Sequence, residues 1–342
     1  MQLLEAQHVT RVFGSGLLNK HRTVAVDEIS LAINEEFPTI TAIAGESGSG
    51  KTTLARLLLG VIQPTEGSIL FQGRDLAKMD RTERREFRRQ VQAIFQDPFE
   101  VYNPFYKIDQ VLTTPIQKFG LATSKADAQR RIEESLEMAG LRPEDTLGRY
   151  PHQLSGGQRQ RIMVARALLL NPKIILADEP VSMVDASLRA TILESLMKLN
   201  RELGISLIYI THDLTTAYQI SKDIFILYRG SVAEVGSVEK VINDPLHPYT
   251  RLLVSSIPLP DPDVRWGQET DIETKATAPG AATEAVHGCK FSNRCPFVMD
   301  ECRVKHPPLY RTHDDRAVAC YLYKDDGEVV AGRDMAQLLA AR

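Results

Sequence analysis

Short apolar runs rich in β-branched residues recur through the first two thirds of the sequence. Most of them are nearly continuous rather than alternating with polar residues, which is typical of strands that are covered on both faces. The runs are residues 39–45, 91–95, 173–178, 205–211 and 223–228. Segments with helical periodicity alternate with them, so the pattern predicts an α/β fold built on a mostly parallel sheet.

Helical periodicity is clearest in residues 52–61, 125–141 and 187–203. The second of these segments contains Gly140, which is expected to end its helix. Residues from about 100 to 165 contain no run that resembles a buried strand. We therefore predict a helical subdomain over residues 100–165, inserted between two strands of the sheet.

The composition and periodicity of the sequence change after residue 257. Residues 258–288 contain scattered prolines and many alanines and threonines without a sustained period, which is typical of a linker. We predict a main domain over residues 1–257, this linker, and a small extension over residues 289–342. A length of 342 residues fits about two domains.

Composition and charge exclude several classes of protein. The chain is 43% apolar and 25% charged with a net charge of −3, which argues against broad nucleic-acid binding through phosphate neutralisation. The basic segment 81–89 contains two glutamates, so a solvated helix face is the simpler interpretation. No apolar run approaches the roughly 18 residues that cross a membrane, and the first residues show no secretory pattern. We expect a cytosolic protein that meets a membrane only through other subunits.

The segment GESGSGKTT has the Gly-x4-Gly-Lys-Thr spacing of a phosphate-binding loop, between a predicted buried strand and a predicted helix. Glycines let successive backbone N–H groups turn toward one point, and the helix N-terminus adds partial positive charge. We predict that Lys51 reaches the β- and γ-phosphates of a nucleotide and that the Thr52 hydroxyl binds Mg²⁺. The predicted phosphate-binding residues are Gly45, Glu46, Ser47, Gly48, Ser49, Gly50, Lys51, Thr52 and Thr53.

Two carboxylates follow the apolar strand over residues 173–178. The strand ends in Asp178, and Glu179 comes next. Open α/β sheets place ligand chemistry at the carboxyl ends of their strands. We therefore expect Asp178 to reach Mg²⁺, directly or through water, and Glu179 to act as the base that polarises an attacking water molecule.

The segment LSGGQRQRIMVARAL, residues 154–168, begins a helix with Ser155, Gly156 and Gly157. Backbone N–H groups at a helix start, beside a hydroxyl donor, form a second anion site. One chain rarely needs two such sites for one nucleotide. With Gln158, the segment resembles the signature sequence of ABC transporters.

Other motifs occur in the order that this family uses. They are Phe13 in RVFG, Gln96 in FQDP, the pair Asp178 and Glu179 in DEP, Asp185 at the end of VSMVD, and His212 in ITHD. The resemblance extends over residues 3–257. Two details depart from the family's commoner pattern: VSMVD stands where TSALD is more usual, and Phe13 stands where tyrosine is frequent.

The resemblance implies a P-loop NTPase fold of the RecA-like type and a head-to-tail pair of ATPase domains. Each ATP would lie between the phosphate loop of one subunit and the signature of the other, so that Ser155, Gly156, Gly157 and Gln158 act in trans. It further implies three catalytic residues, three Mg²⁺ ligands, an adenine-stacking residue and a D-loop residue. The catalytic residues would be Glu179, His212 and Lys51, and the Mg²⁺ ligands Thr52, Gln96 and Asp178. Phe13 would stack on the adenine, and Asp185 would belong to the D-loop.

The only cysteines of the chain are Cys289, Cys295, Cys302 and Cys320, all within 32 residues. In a cytosolic chain such clustering favours a metal over disulfides. Tetrahedral zinc usually takes at least one tight C-x2–4-C pair, which is missing here. The wider spacing suits a 4Fe–4S cluster at least as well, with zinc and free reduced thiols as the alternatives.

Two C-terminal segments narrow the resemblance. Residues 288–323 resemble the C-terminal extension of dipeptide and oligopeptide importer ATPases, and residues 244–258 resemble the HPYT segment of the same group. Members with such cysteines look like carriers of a 4Fe–4S cluster, so the resemblance favours the cluster over zinc, with a structural role.

The resemblance therefore implies the ATP-hydrolysing subunit of an importer of the peptide/nickel group, at the cytoplasmic face of the inner or plasma membrane. The implied partners are a second ATPase subunit, two membrane permease subunits and an extracytoplasmic solute-binding protein. The second ATPase subunit is either a second copy or, as is often the case in this group and favoured here, a different chain. Peptides, nickel, opines and oligosaccharides all stay open as substrates. The rival hypotheses are a soluble ABC ATPase acting on ribosomes or DNA, and an iron–sulfur redox enzyme powered by ATP.

Overall fold

The computed structural model describes residues 2–14, 22–96, 102–182, 184–257, 288–312, 315–325 and 327–330. The chain divides into two compact units. The first unit comprises Met1–Phe37, Thr41–Ala77 and Thr211–Arg342, and the second comprises Pro38–Ile40 and Lys78–Ile210. The predicted linker, apart from Gly288, lies outside the described residues.

The described strands are β1 (Gln2–Phe13), β2 (Thr23–Asn34), β3 (Ile40–Ala44), β4 (Glu66–Phe71), β5 (Arg74–Asp75), β6 (Val91–Ile94), β7 (Ile174–Asp178), β8 (Ser206–Thr211), β9 (Asp223–Tyr228), β10 (Ser231–Ser237), β11 (Tyr310–Arg311), β12 (Ala317–Val318) and β13 (Glu328–Val329). The described α-helices are α1 (Lys51–Leu58), α2 (Arg81–Gln90), α3 (Asp109–Phe119), α4 (Lys125–Met138), α5 (Pro143–Thr146), α6 (Gly156–Leu168), α7 (Ala186–Leu203), α8 (Leu214–Ile220), α9 (Val238–Asn243), α10 (Pro248–Ser255) and α11 (Asp300–Val304). No helix among the described residues is both long enough and apolar enough to span a bilayer.

The first unit contains an antiparallel sheet and part of a mixed one. Strands β2, β1, β4 and β5 lie side by side in that order. In the mixed sheet, β3 pairs in parallel with β9, and β9 pairs antiparallel with β10. The short strands β12, β11 and β13 continue from β10, so the C-terminal extension adds strands to the edge of this sheet.

The second unit contains parallel strands and most of the helices. Strand β7 pairs in parallel with both β6 and β8, and all three are almost entirely buried. Helices α3 to α6 follow β6, and no strand interrupts them among the described residues. Helix α4 ends at Met138, and Gly140 follows with a φ of 73°, a conformation that favours glycine.

The five predicted buried strands coincide with β3, β6, β7, β8 and β9, which confirms the predicted α/β fold. Helix α2 covers the basic segment 81–89 and buries only Phe87. Its exposed Arg89 and Glu86 lie 3.8 Å apart, as a solvated helix face would place them.

A partly buried ionic network holds the extension against the rest of the first unit. Arg316, only 4% exposed, precedes β12. It donates to the carboxylate of Asp244 at 3.0 Å and lies 3.8 Å from the fully buried carboxylate of Glu234. Burial raises the pKa of Glu234, while the backbone N–H groups of Leu246 and His247 donate to it. Such a network is costly to break, because removing one member leaves an uncompensated charge.

Candidate nucleotide site

The phosphate loop of the first unit has a conformation that requires glycine at two positions. Gly45 has a φ of 151° and Gly50 a φ of 102°. A Cβ atom on Gly45 would lie 2.2 Å from the carbonyl oxygen of Leu227, and one on Gly50 would lie 2.3 Å from that of Ala25. The backbone of the loop therefore packs directly on neighbouring backbone, as expected where a loop must present its own N–H groups.

Lys51 lies at the start of helix α1 and is 6% exposed. Its ammonium donates to the carbonyl oxygens of Gly45 at 2.8 Å and of Glu46 at 3.0 Å. The charge is thus held over the loop at the N-terminus of a helix, where an anion is favoured. Ser47, Gly48 and Thr52 are exposed at the surface of the loop, so a phosphate group has access to them.

A contact with a residue far away in the sequence also holds the phosphate loop, and no sequence pattern predicted it. The backbone N–H of Glu46 donates to the phenolic oxygen of Tyr249 at 2.9 Å. Tyr249 is fully buried near the start of α10, and burial raises its pKa so that it stays a neutral phenol. Tyr249 belongs to the HPYT segment, which the sequence had singled out. Its contact with Glu46 could not be predicted, because the two residues lie 203 positions apart.

Two carboxylates lie at the end of β7 in the second unit, and both are partly buried. Glu179 has a φ of 47°, which is unusual for a residue with a side chain. Its backbone N–H donates to the carbonyl of Ile210 at 2.9 Å, and its carbonyl accepts from the Ser182 hydroxyl at 2.9 Å. Backbone strain of this kind clusters at functional sites.

The structure brings Gln96 and Glu179 together. The side-chain amide of Gln96 donates to the Glu179 carboxylate at 3.1 Å, although 83 positions separate them. The contact arises because β6 and β7 are neighbouring parallel strands, whose carboxyl ends lie at the same edge. An amide and a carboxylate are both oxygen-donor groups of the kind that Mg²⁺ prefers.

The signature segment begins helix α6, also in the second unit. Ser155 caps the helix: its hydroxyl accepts from the N–H of Gln158 at 3.2 Å, and the Gln158 side chain accepts from the N–H of Ser155 at 2.9 Å. Ser155 itself is exposed. A Cβ atom on Gly157 would lie 2.7 Å from Leu188 of helix α7, so a glycine lets the two helices approach.

Asp185 caps helix α7, its carboxylate accepting from the N–H of Leu188 at 3.0 Å. His212 is exposed between β8 and α8. Phe13 is 39% exposed, and the guanidinium of Arg11 lies 4.7 Å from its ring centroid. The first unit therefore carries Phe13, the phosphate loop and His212.

The four cysteines line one cavity, together with His247 and Phe291. The Cys289 N–H donates to the Cys302 carbonyl at 2.7 Å, and all four thiols are free. Burial raises the pKa of Cys289 and of Cys295, and raises the pKa of Cys320 to about 12. Among the described residues, however, no three His, Cys, Asp or Glu side chains converge closely enough to hold a metal ion. The donor set has the chemistry of a metal or cluster site without its geometry.

Comparisons with known proteins agree with these motifs. The model of the ABC transporter family matches residues 26–182, and that of the oligopeptide/dipeptide transporter C-terminal region matches residues 233–302. The putative oligopeptide transport ATP-binding protein YkfD of Bacillus subtilis is 40% identical over 326 residues, which cover 95% of this chain and 97% of the relative. The oligopeptide transport ATP-binding protein OppF of Salmonella typhimurium is 39% identical, over 83% of this chain and 84% of the relative.

Solved structures give the same likeness. A dimeric post-hydrolysis state of the ATP-binding cassette MJ0796, bound to ADP and Pi, superimposes with a TM-score of 0.61 at 31% identity. The match covers 69% of this chain and 99% of that one.

Proposed function

This chain belongs to the ABC transporter family of ATP-binding proteins, and we propose that it is the ATP-hydrolysing subunit of an importer for peptides. The observation that carries the proposal is the phosphate loop, where Gly45 and Gly50 approach backbone carbonyls more closely than any side chain allows. The names of relatives such as YkfD and OppF favour an oligopeptide as the transported solute. Nickel, an opine or an oligosaccharide is the alternative solute.

In the proposed mechanism, Lys51 exchanges the carbonyl oxygens of Gly45 and Glu46 for the phosphate oxygens of ATP. The exchange costs little, because the ammonium is already buried and already aimed at the loop. The backbone N–H groups of the exposed residues Ser47 and Gly48, together with the N-terminus of α1, stabilise the remaining negative charge. Residues Gly45 to Thr53 therefore form the phosphate site.

Mg²⁺ would be held by the Thr52 hydroxyl, Gln96 and Asp178, and it would neutralise charge on the β- and γ-phosphates. Glu179 is the base that orients and deprotonates the attacking water. The 3.1 Å contact with the Gln96 amide keeps the Glu179 carboxylate in one orientation. His212, exposed after β8, contacts the γ-phosphate.

The adenine stacks on Phe13, whose ring already accepts the Arg11 guanidinium on one face. The signature residues complete the ATP site of a second ATPase subunit: Ser155 is exposed, Gly156 and Gln158 are partly exposed, and Gly157 is buried beneath them. Asp185 belongs to the D-loop beside them. We infer that the second subunit is a different chain.

The remaining partners are two membrane permease subunits and an extracytoplasmic solute-binding protein, with no nucleic acid. The chain would act at the cytoplasmic face of the inner or plasma membrane, attached through the permeases. Within it, residues 1–257 form the nucleotide-binding domain with its helical subdomain over residues 100–165, and residues 258–288 link it to the extension over residues 289–342.

Uptake by vesicles tests the proposal. Vesicles should contain the chain assembled with its membrane subunits, with MgATP on the side that carries this chain and receptor with labelled peptide on the other. We expect peptide to accumulate on the ATP side, and a non-hydrolysable ATP analogue to prevent accumulation. Hydrolysis without movement of any solute would contradict an importer, whereas movement of nickel or an oligosaccharide would change only the substrate.

We also propose that the extension carries a structural 4Fe–4S cluster bound by Cys289, Cys295, Cys302 and Cys320. The support is their shared cavity and their burial, which disfavours thiolates in the absence of a bound cation. Binding would draw the four sulfur atoms closer together than they lie here. Zinc is the alternative occupant.

Metal analysis of anaerobically purified chain tests this proposal. We expect iron and acid-labile sulfide in the one-to-one ratio of a cubane, and loss of both in Cys302→Ser and Cys320→Ser variants. Zinc at one ion per chain would assign the alternative. Neither iron nor zinc in the purified protein would leave four reduced thiols and contradict the proposal.

A further inference from the structure

The phosphate loop is bound to the extension by an ion pair. Arg294 lies between the first two cysteines, in the Cys289–Cys295 loop. Its guanidinium donates to both carboxylate oxygens of Glu46, at 3.3 and 3.2 Å. Glu46 is the second residue of the phosphate loop, and its N–H is the group that donates to Tyr249. Both the backbone and the side chain of Glu46 are therefore held by residues from the C-terminal part of the chain.

The Cys289–Cys295 loop also contacts the neighbourhood of the phosphate loop through a second cation, Lys290. The Lys290 ammonium lies 2.7 Å from the carboxylate of Asp27 and donates to the Ser231 hydroxyl at 2.6 Å and the Arg229 carbonyl at 2.9 Å. Gly230 lies between Arg229 and Ser231, and its backbone N–H donates to the Ser49 carbonyl at 2.9 Å. Lys290 thus fixes the turn on which Ser49 rests.

Phe291 anchors the segment that carries Lys290 and Arg294 in the core. It follows Lys290, is 1% exposed, and packs against Tyr228 and Tyr249 with ring centroids 5.4 and 5.6 Å apart. The Arg294 guanidinium also lies 5.5 Å from the Phe291 ring centroid. Because the aromatic anchor is buried, Lys290 and Arg294 are presented from a rigid segment rather than from a mobile tail.

We propose that Lys290 and Arg294 are positioning residues for the phosphate loop, so that the Cys289–Cys295 loop sets the affinity of this chain for MgATP. The inference rests on the proposed function, since it takes the phosphate loop to be the nucleotide site. The cations act through Glu46, Asp27 and the turn at Gly230 rather than on the nucleotide. They restrict the loop to the conformation in which its N–H groups converge, and thus lower the ordering cost of binding.

Equilibrium titration of the full chain with MgATP tests the inference. We expect Arg294→Gln and Lys290→Gln each to raise Kd about two- to fivefold, the range of partly exposed ion pairs, and the double variant to raise it about tenfold. Arg294→Lys should retain most of the affinity, because it keeps the charge. The matched control is Lys324→Gln, which removes a 3.1 Å ion pair with Glu301 elsewhere in the extension and should leave Kd unchanged.

A double-mutant cycle separates positioning from a loss of stability in the extension. If Arg294 acts through Glu46, then Arg294→Gln has no further effect on Kd in a Glu46→Gln background. Single and double variants with the wild-type Kd, whatever their melting temperature, would overturn the inference. A wild-type chain that does not bind MgATP would instead refute the proposed function, so the two failures are distinguishable.

Discussion

A Glu179→Gln variant is expected to lose about 100- to 10,000-fold in ATP turnover, the range in which a general base contributes. Its affinity for MgATP should stay close to that of the wild type. Glutamine has the same shape as glutamate and can still accept from the Gln96 amide, which lies 3.1 Å from the Glu179 carboxylate. It cannot accept a proton from water at neutral pH, so binding survives and the chemical step fails.

Single-turnover hydrolysis by the assembled complex, alongside nucleotide binding, measures this effect. Glu202→Gln is the matched control, because Glu202 lies on the exposed surface of α7, where it pairs with Lys198 at 3.8 Å. That variant should hydrolyse ATP at the wild-type rate. Turnover by Glu179→Gln within a few-fold of the wild type would show that another group acts as the base.

The buried parallel strands could be predicted because their two covered faces produce continuous apolar runs. The strands β1 and β2 were not predicted although they are longer. A strand that is buried on one face is recognised only by an unbroken alternation of apolar and polar residues. Their register shifts more than once, and His8 and Glu28 have φ values of 48° and 51°. Each irregularity changes which residues point inward, so the alternation is lost in the sequence.

Strand β10 was missed for a different reason. It is almost completely buried, yet it contains Gly236 and Glu234, residues that seldom mark a buried strand. Glu234 is tolerated there because it accepts N–H groups from Leu246 and His247 and faces Arg316. The sequence cannot reveal such compensation, because the partners belong to segments that meet only in the fold.

The phosphate loop was predictable because its chemistry lies within nine consecutive residues. The contact between Gln96 and Glu179 was not, since it depends on which strands become neighbours; only the family resemblance connected these residues. The ion pair between Glu46 and Arg294 joins residues 248 positions apart. No local sequence pattern predicts this ion pair, and Glu46 occupies a loop position where many residue types fit.

A Lys51→Ala variant is expected to weaken MgATP binding by about a hundredfold or more. Lys51 carries a buried charge at the loop, and removing one partner of a desolvated charge pair costs several kcal/mol. Turnover should fall with the loss of affinity. The fold should persist, because the residue lies at the first position of α1 and alanine is a good helix former.

The most direct test of the account is a MgATP titration of wild-type chain and Lys51→Ala side by side. Lys198→Ala is the control, since its side chain is 61% exposed on α7. We predict saturable binding of one nucleotide per phosphate loop by the wild type and the control, and far weaker binding by Lys51→Ala. Wild-type chain that fails to bind MgATP, or a Lys51→Ala variant that binds it equally tightly, would contradict the claim that this loop holds the triphosphate.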